Sequence, residues 1–389
     1  MKLLFIKATG LPLFKGEMEM TFFARQRVDD ADKDVLLPMN PGSRYYLNST
    51  NAIVGINASG KTSVLKVVLL VLDIINNKPI NHCETKDILG DGTNTFIKTI
   101  FLSDIGELCQ LETHISATYK SGTRSYEITQ ESLRVKPLSS VKTKKMLADF
   151  TGIAPVAVRD QSEVFLPDDV SIVIAYNKNN GQQTYTASLL SMTDMNVLPI
   201  SDVIPEAVIQ FLDPTVEKLF FEREGLTVTT HLKFRNRKEI VLSDPTELNA
   251  YLSSGTIKGI VTFTLAIRTL HFGGYMIVDE LEDHFNREIA ATLMRLFMDS
   301  SVNIKGGVLI FSTHYPELLD EFTRNDSIFI TRNDDGICVV NLNDVLSRND
   351  IKKSDVYQSG ILEGTVPAYD AYIRLKKNIR DGLEGAAVS

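Results

Sequence analysis

Apolar and polar positions alternate with a period of two at the start of the chain. Residues 2–23 read as two strands, KLLFIKA and EMEMTFF, joined by a Gly10-Leu11-Pro12 turn. In the second strand Met18, Met20 and Phe22 alternate with Glu17, Glu19 and Thr21. Residues 29–44 are polar, with Pro38, Pro41 and Gly42, and read as a loop leading to a short buried strand, Ala52-Ile53-Val54. The period then changes. KTSVLKVVLLVLDIINN, from Lys61, carries no Gly or Pro until Pro79 and predicts a helix over about 61–76. Residues 78–94 read as a polar linker. Strand patterns follow at 96–102, 108–119 and 126–135, with turns at Gly106 and Gly122, and predict an antiparallel sheet.

The middle of the chain is less regular. Residues 205–222 read as a helix broken at Asp213-Pro214, and 226–241 as an alternating strand with Lys233, Arg235 and Arg237 on one face. Strong pattern returns at residue 252. A helix is predicted to about Leu270, stopped by Gly273-Gly274, then a buried strand YMIV, a helix over 286–299 and a strand VLIFS. That order is a β–α–β unit, which implies parallel strands. Two strands flanking Asn333-Asp334-Asp335-Gly336 predict a hairpin, and YDAYIRLKKNIRDGLE a closing helix.

Composition changes the picture little. Lys plus Arg is 41 against 49 Asp plus Glu, so the net charge of −8 gives no general support for nucleic-acid binding. Two local basic stretches remain, residues 134–145 and 233–238. Each reads first as a solvated face and second as a phosphate-backbone contact. The start of the chain has four apolar residues before Lys7, too short for a signal segment, and the run 64–75 is too short to span a bilayer. Cys83, Cys109 and Cys338 lie far apart with no C-x-x-C spacing, so neither a disulfide framework nor a zinc site is expected, and a cytoplasmic location is.

Chemistry enters at Gly55-Ile56-Asn57-Ala58-Ser59-Gly60-Lys61-Thr62, which fits G-x-x-x-x-G-K-[ST] between a predicted strand and helix. Such a loop cradles phosphate with backbone N–H groups at a helix N-terminus. Gly55, Asn57, Ala58, Ser59, Gly60, Lys61, Thr62 and Ser63 are the candidate nucleotide-binding residues. Lys61 would reach the β- and γ-phosphates and the Thr62 hydroxyl would ligate Mg²⁺. Asp279 and Glu280 end the buried strand YMIV, where open α/β sheets place ligands. Asp279 is the second expected metal ligand, Glu280 the general base for an attacking water, and His314, 34 residues beyond Glu280, a contact to the γ-phosphate.

Leu252-Ser253-Ser254-Gly255-Thr256 lies before the helix, with Gly255 24 residues ahead of Asp279. With these pieces the chain resembles the ABC-type ATPases, whose signature reads Leu-Ser-Gly-Gly-Gln. The stretch DELEDHFNREI is similar to the ABC-fold, AAA-type ATPases of bacterial anti-phage defence operons, relatives of the OLD, RecF and SMC-like heads, among them the ATPases of PARIS and abortive-infection systems. The resemblance implies an ABC-type head with a mixed parallel sheet, an antiparallel β subdomain and a helical or mixed insertion. Residues 1–135 would form the first ATPase lobe, 136–247 the insertion and 248–389 the rest of the head. It also implies ATP and Mg²⁺ as cofactors. Two heads would sandwich ATP in a homodimer or higher homo-oligomer, Ser253 and Gly255 touching the γ-phosphate held by the other head. Asn286 takes the D-loop position, and Gln110 and Gln161 are the candidates for the glutamine that links Mg²⁺ to the second lobe.

The residues after 342 are too few for the Toprim module fused to OLD-like proteins. The expectation is therefore a defence-system ATPase controlling a separate nuclease effector, with a phage protein or nucleic acid as trigger and no membrane partner. The alternative is a RecF- or SMC-like DNA-repair ATPase, and the third a transporter ATPase subunit.

Overall fold

The computed structural model describes residues 1–389 except 92–93, 121, 160–165, 181–182, 191–203, 226, 284, 361, 363–368 and 387–389. About 31% is helix and 32% strand, so the chain is a mixed α/β protein, in line with the changes of period along the sequence. The first strands are β1 (Lys2–Thr9), β2 (Glu17–Thr21), β3 (Leu36–Pro38), β4 (Tyr46–Asn48) and β5 (Thr50–Val54). Then come β6 (Thr95–Leu102), β7 (Glu107–Lys120), β8 (Thr123–Pro137), β9 (Ala157–Arg159) and β10 (Thr186–Ser188). The rest are β11 (Val216–Glu224), β12 (Thr227–Phe234), β13 (Ile240–Leu242), β14 (Tyr275–Val278), β15 (Val308–Thr313), β16 (Ile328–Asn333) and β17 (Ile337–Asn341). The helices are α1 (Lys61–Ile75), α2 (Val173–Asn180), α3 (Glu206–Leu212), α4 (Ser254–Phe272), α5 (Arg287–Met298), α6 (Leu342–Val345), α7 (Lys353–Gln358) and α8 (Tyr369–Ala386). None of the described helices is long and apolar enough to cross a membrane.

One sheet runs β2-β1-β6-β7-β8-β9 and is antiparallel throughout. The other runs β10-β14-β15-β5-β16-β17, parallel except for β17. The two-residue period of the parallel strands sorts their side chains between two cores. Ile53, Ile277, Ile310 and Phe329 join a core with α1 and the antiparallel sheet. Val54, Met276, Val278, Leu309, Phe311 and Ile330 join a second core with α4 and α5. Helix α1 is buried on nearly every side, from Val64 through Ile75 apart from Lys66 and Asp73. Its sequence is accordingly apolar all round, as a helix between two sheets requires.

Several expectations need correction. The linker 78–94 is folded: two 3-10 turns, Ile80–His82 and Lys86–Leu89, bury Ile80, Ile88 and Leu89. The loop 29–44 contributes β3, which pairs with β4. Residues 216–222 form β11, not a second helical segment. A bulge between Val216 and Lys218 shifts the register, so the buried residues Val216 and Leu219 fall three apart and imitate a helical period. Strand β12 ends at Phe234, and Asn236 turns the chain with φ 60°, so Arg235 and Arg237 do not continue the face of Lys233. The described residues of 136–247 join several parts of the fold. They add β9 to the antiparallel sheet and β10 to the edge of the parallel one, and they pack α3 on α4 beside a three-stranded sheet, β11-β12-β13.

The basic run 134–145 is partly consumed by internal contacts. Arg134 pairs with Glu112 at 2.6 Å. The Lys136 ammonium donates to the carbonyls of Met146 and Asp149 over the Phe150 ring, and Lys144 donates to the Gln26 carbonyl. A uniformly solvated loop and a phosphate-binding stripe are both poor descriptions of those three residues.

Candidate functional site

Strand β5 is buried along its length and delivers the chain to Gly55 at the carboxyl end of the parallel sheet. No side chain fits there: a Cβ on Gly55 would lie 2.6 Å from the Thr331 carbonyl oxygen. Ala58 and Gly60 take left-handed φ values of 62° and 99°, which wrap the loop back on itself before α1 begins. The hairpin of β16 and β17 buttresses this loop. Thr331 Oγ1 lies 2.7 Å from Ser59 Oγ, and Asn333 Nδ2 donates to the Ala58 carbonyl at 3.0 Å. No side chain caps the N-terminus of α1 and no acidic residue stands in its first turn. Its first N–H groups have no partner within the helix and carry the positive end of its dipole.

The registers Val278↔Phe311 and Thr313↔Val54 bring the ends of β5 and β15 level, with β14 ending two residues short so that Asp279 and Glu280 run on beside Ser312. There Thr62 Oγ1 donates to Asp279 Oδ2 at 2.5 Å, and Ser312 Oγ donates to the other Asp279 oxygen. The Glu280 N–H donates to Ser312 Oγ at 2.7 Å. His314 stands between Lys61 and Glu280, with Nδ1 3.4 Å from the ammonium and Nε2 3.2 Å from Glu280 Oε1. A neutral ring with its proton on Nε2 satisfies both neighbours. Lys61 Nζ also donates to the carbonyls of Gly55 and Ile56, at 3.1 and 3.2 Å. Burial pushes the Lys61 ammonium below its ordinary range, against the pull of Asp279, Glu280 and Glu282.

Lys61, Thr62, Glu280 and His314 open onto one cleft with a volume of about 650 Å³. Asn57, Ala58, Gly60, Lys61, Thr62 and Ser63 line it, with Glu280 and His314 opposite. Of the residues expected from the phosphate-loop and strand-end motifs, Gly55, Ser59 and Asp279 do not line the cleft; Ser59 bonds Thr331 and Asp279 accepts the Thr62 hydroxyl. The arrangement can hold a polyphosphate on backbone donors and one ammonium, next to a carboxylate able to accept a proton.

Ser312, Thr331, Asn333 and Glu282 escaped the sequence reading. Glu282 is 8% exposed, and one of its oxygens accepts the His314 N–H, which fixes that loop. Its signal was present in the acidic string after YMIV, but an acidic string does not say which carboxylate turns inward.

Ser253 and Gly255 are not at this cleft. Ser253 is exposed and caps α4, its hydroxyl accepting the Thr256 N–H at 3.0 Å. Helix α4 is tied to the segment after β14 by Lys258 and Asp283, 2.5 Å apart. Asn286 caps α5 by accepting the Ile289 N–H at 3.0 Å. Gln110 is buried on β7, where its amide donates to Glu112, and it does not line the cleft. Gln161 lies outside the described residues, as does His284 of DELEDHF. A scan against protein-family models and a search of curated proteins return no match to this chain.

Proposed function

We propose that the chain is an ATP-binding and ATP-hydrolysing ABC-type ATPase of the defence-operon kind, working as the sensor or regulator of a separate nuclease effector. One observation carries the ATPase reading: Lys61, Thr62, Glu280 and His314, from three strand ends, line a single cleft below an uncapped helix N-terminus, with Asp279 hydrogen-bonded to Thr62. The Thr62 hydroxyl and the Asp279 carboxylate are paired hard oxygen donors and fit Mg²⁺. When bound there, the ion would supply charge neutralisation on the phosphates.

The residues then divide the work. Backbone N–H groups of Gly60, Lys61 and Thr62 hold the β-phosphate, while the Ser59 N–H closes the loop on the Ile56 carbonyl at 3.1 Å. Lys61 exchanges its two carbonyl acceptors for phosphate oxygens. Glu280 orients a water and takes its proton as the water oxygen bonds to the γ-phosphorus and the bond to the β-phosphate oxygen breaks. His314 steadies Glu280 in the free state and contacts the γ-phosphate in the loaded one. Ser253, exposed at a second helix start, and the half-buried Gly255 beside it serve the cleft of another copy.

The separate-effector reading is supported by the acidic residues of the site, since Asp279, Glu280 and Glu282 are bonded to Thr62, the His314 ring and the His314 backbone N–H respectively. The DNA-repair alternative draws less support from the basic stretches, because Arg134, Lys136 and Lys144 make internal contacts and Lys233 pairs with Glu217, leaving Lys142, Lys145, Arg235, Arg237 and Lys238 exposed. Purified alone with Mg²⁺ and ATP, the chain should release phosphate and leave DNA and RNA intact. Lys61→Ala should weaken ATP binding about a hundredfold, the loss of more than one charge-assisted hydrogen bond. Unchanged affinity would remove the nucleotide assignment, and metal-dependent cleavage by the isolated chain would remove the separate effector.

A further inference from the structure

The far end of the cleft has a composition of its own. Beyond Gly60 and Ser63 its walls are Pro12 and Leu13, from the turn between β1 and β2, and Asn333, Asp335, Gly336 and Ile337, from the hairpin of β16 and β17. These two turns are stitched together by backbone bonds: Ile337 N–H to the Leu13 carbonyl at 2.8 Å, and Lys15 N–H to the Ile337 carbonyl at 2.9 Å. Ile337 is buried and packs where a Cβ on Gly60 would otherwise stand. The Pro12 ring fills the space a Cβ on Gly90 would need, which fixes the turn from behind. Leu13, by contrast, is 53% exposed at the cleft mouth. No Phe, Tyr or Trp stands among the described residues lining the cleft.

We infer that this end is a nucleobase subsite, an aliphatic clamp of Leu13 and Ile337 that holds purine nucleoside triphosphates by contact with the ring face and reads the base edge weakly. The inference rests on the nucleotide reading of the same cleft. A base extending from phosphates seated at the start of α1 meets this wall next. Two aliphatic side chains give dispersion and burial without orientation, so they accept adenine and guanine alike. The Ile337 and Lys15 N–H groups and the Leu13 and Ile337 carbonyls are spent on the stitch between the turns, and the Asn333 amide donates to the Ala58 carbonyl. The charged groups nearest that end, Lys15 and Asp335, lie 3.8 Å from each other.

Calorimetric titration with ATP, GTP and inorganic tripolyphosphate in Mg²⁺ tests this on the full chain, with Leu13→Ala and Leu13→Tyr. ATP and GTP should bind within about threefold of each other, because aliphatic ring contact beside a solvent-exposed ion pair discriminates weakly. Leu13→Ala should weaken both nucleotides about tenfold, the scale of a few lost apolar contacts, and leave tripolyphosphate affinity unaltered. Leu13→Tyr should tighten both by adding a stacking face. GTP binding weaker than ATP by about a hundredfold or more would overturn the clamp, since that ratio needs a built edge reader. Nucleotide affinity insensitive to both substitutions would overturn it too, leaving the phosphate assignment standing. If neither ATP nor tripolyphosphate binds the unaltered chain, the nucleotide reading fails and the clamp with it.

Discussion

Glu280 has φ 48°, a left-handed value that costs a non-glycine residue about 1–3 kcal/mol. The surroundings impose it. Its N–H donates to Ser312 Oγ, the next N–H donates to the Ser312 carbonyl at 2.9 Å, and its own carbonyl accepts the Asp283 N–H at 2.8 Å. The turn lifts the carboxylate out of the sheet and toward His314. Thr331 plays the same positioning role for the phosphate loop. It is fully buried, donates to the Val54 carbonyl at 3.2 Å and meets Ser59 at 2.7 Å. Thr331→Val keeps the shape and strands the Ser59 hydroxyl, so it should destabilise the fold by about 1–3 kcal/mol. It should also raise KM for ATP more than it lowers kcat, because the loop binds and the strand ends react. Denaturant unfolding and steady-state kinetics would check this, and an unchanged KM would remove the buttress.

At the scale of elements, two helix starts divide the chemistry: α1 opens into the cleft, and α4 opens to solvent with Ser253 as its cap. The proposed function needs the second start to face the first across two copies. Ser253→Arg should prevent that meeting through bulk and repulsion from the partner's Lys61. Light scattering in ATP, with hydrolysis blocked, should find a dimer for the parent protein and a monomer for Ser253→Arg. A dimer in both would place the interface elsewhere. Local pattern made most of these elements legible. A strand ending in Gly55, a helix opened by Lys61-Thr62 and a buried strand ending in Asp279-Glu280 are all short-range facts. The rest was set by contacts far apart in sequence. The bulge in β11 disguised a strand as a helix. Thr331 and Asn333 meet the phosphate loop from more than 270 residues away, and no pattern near them announces it. Lys136 looked solvated because a basic run says nothing of carbonyls folded over it.

At the scale of the whole molecule, the parallel sheet separates two cores, and its carboxyl edge gathers the candidate site between them. The antiparallel sheet reaches that cleft through the Pro12-Leu13 turn, and the closing hairpin reaches it through Ile337. The cleft is thus assembled from residues 12 to 337, and its geometry depends on the complete fold. The account stands on Glu280 acting as the base of an ATP hydrolysis centred there. The most direct measurement is steady-state phosphate release beside ATP affinity for the parent protein and Glu280→Gln. The amide retains size and the contact with His314 but accepts no proton. Affinity should stay within about threefold, and turnover should fall by about a hundredfold or more, the scale of general-base catalysis. Turnover of Glu280→Gln at the parental rate would contradict the account.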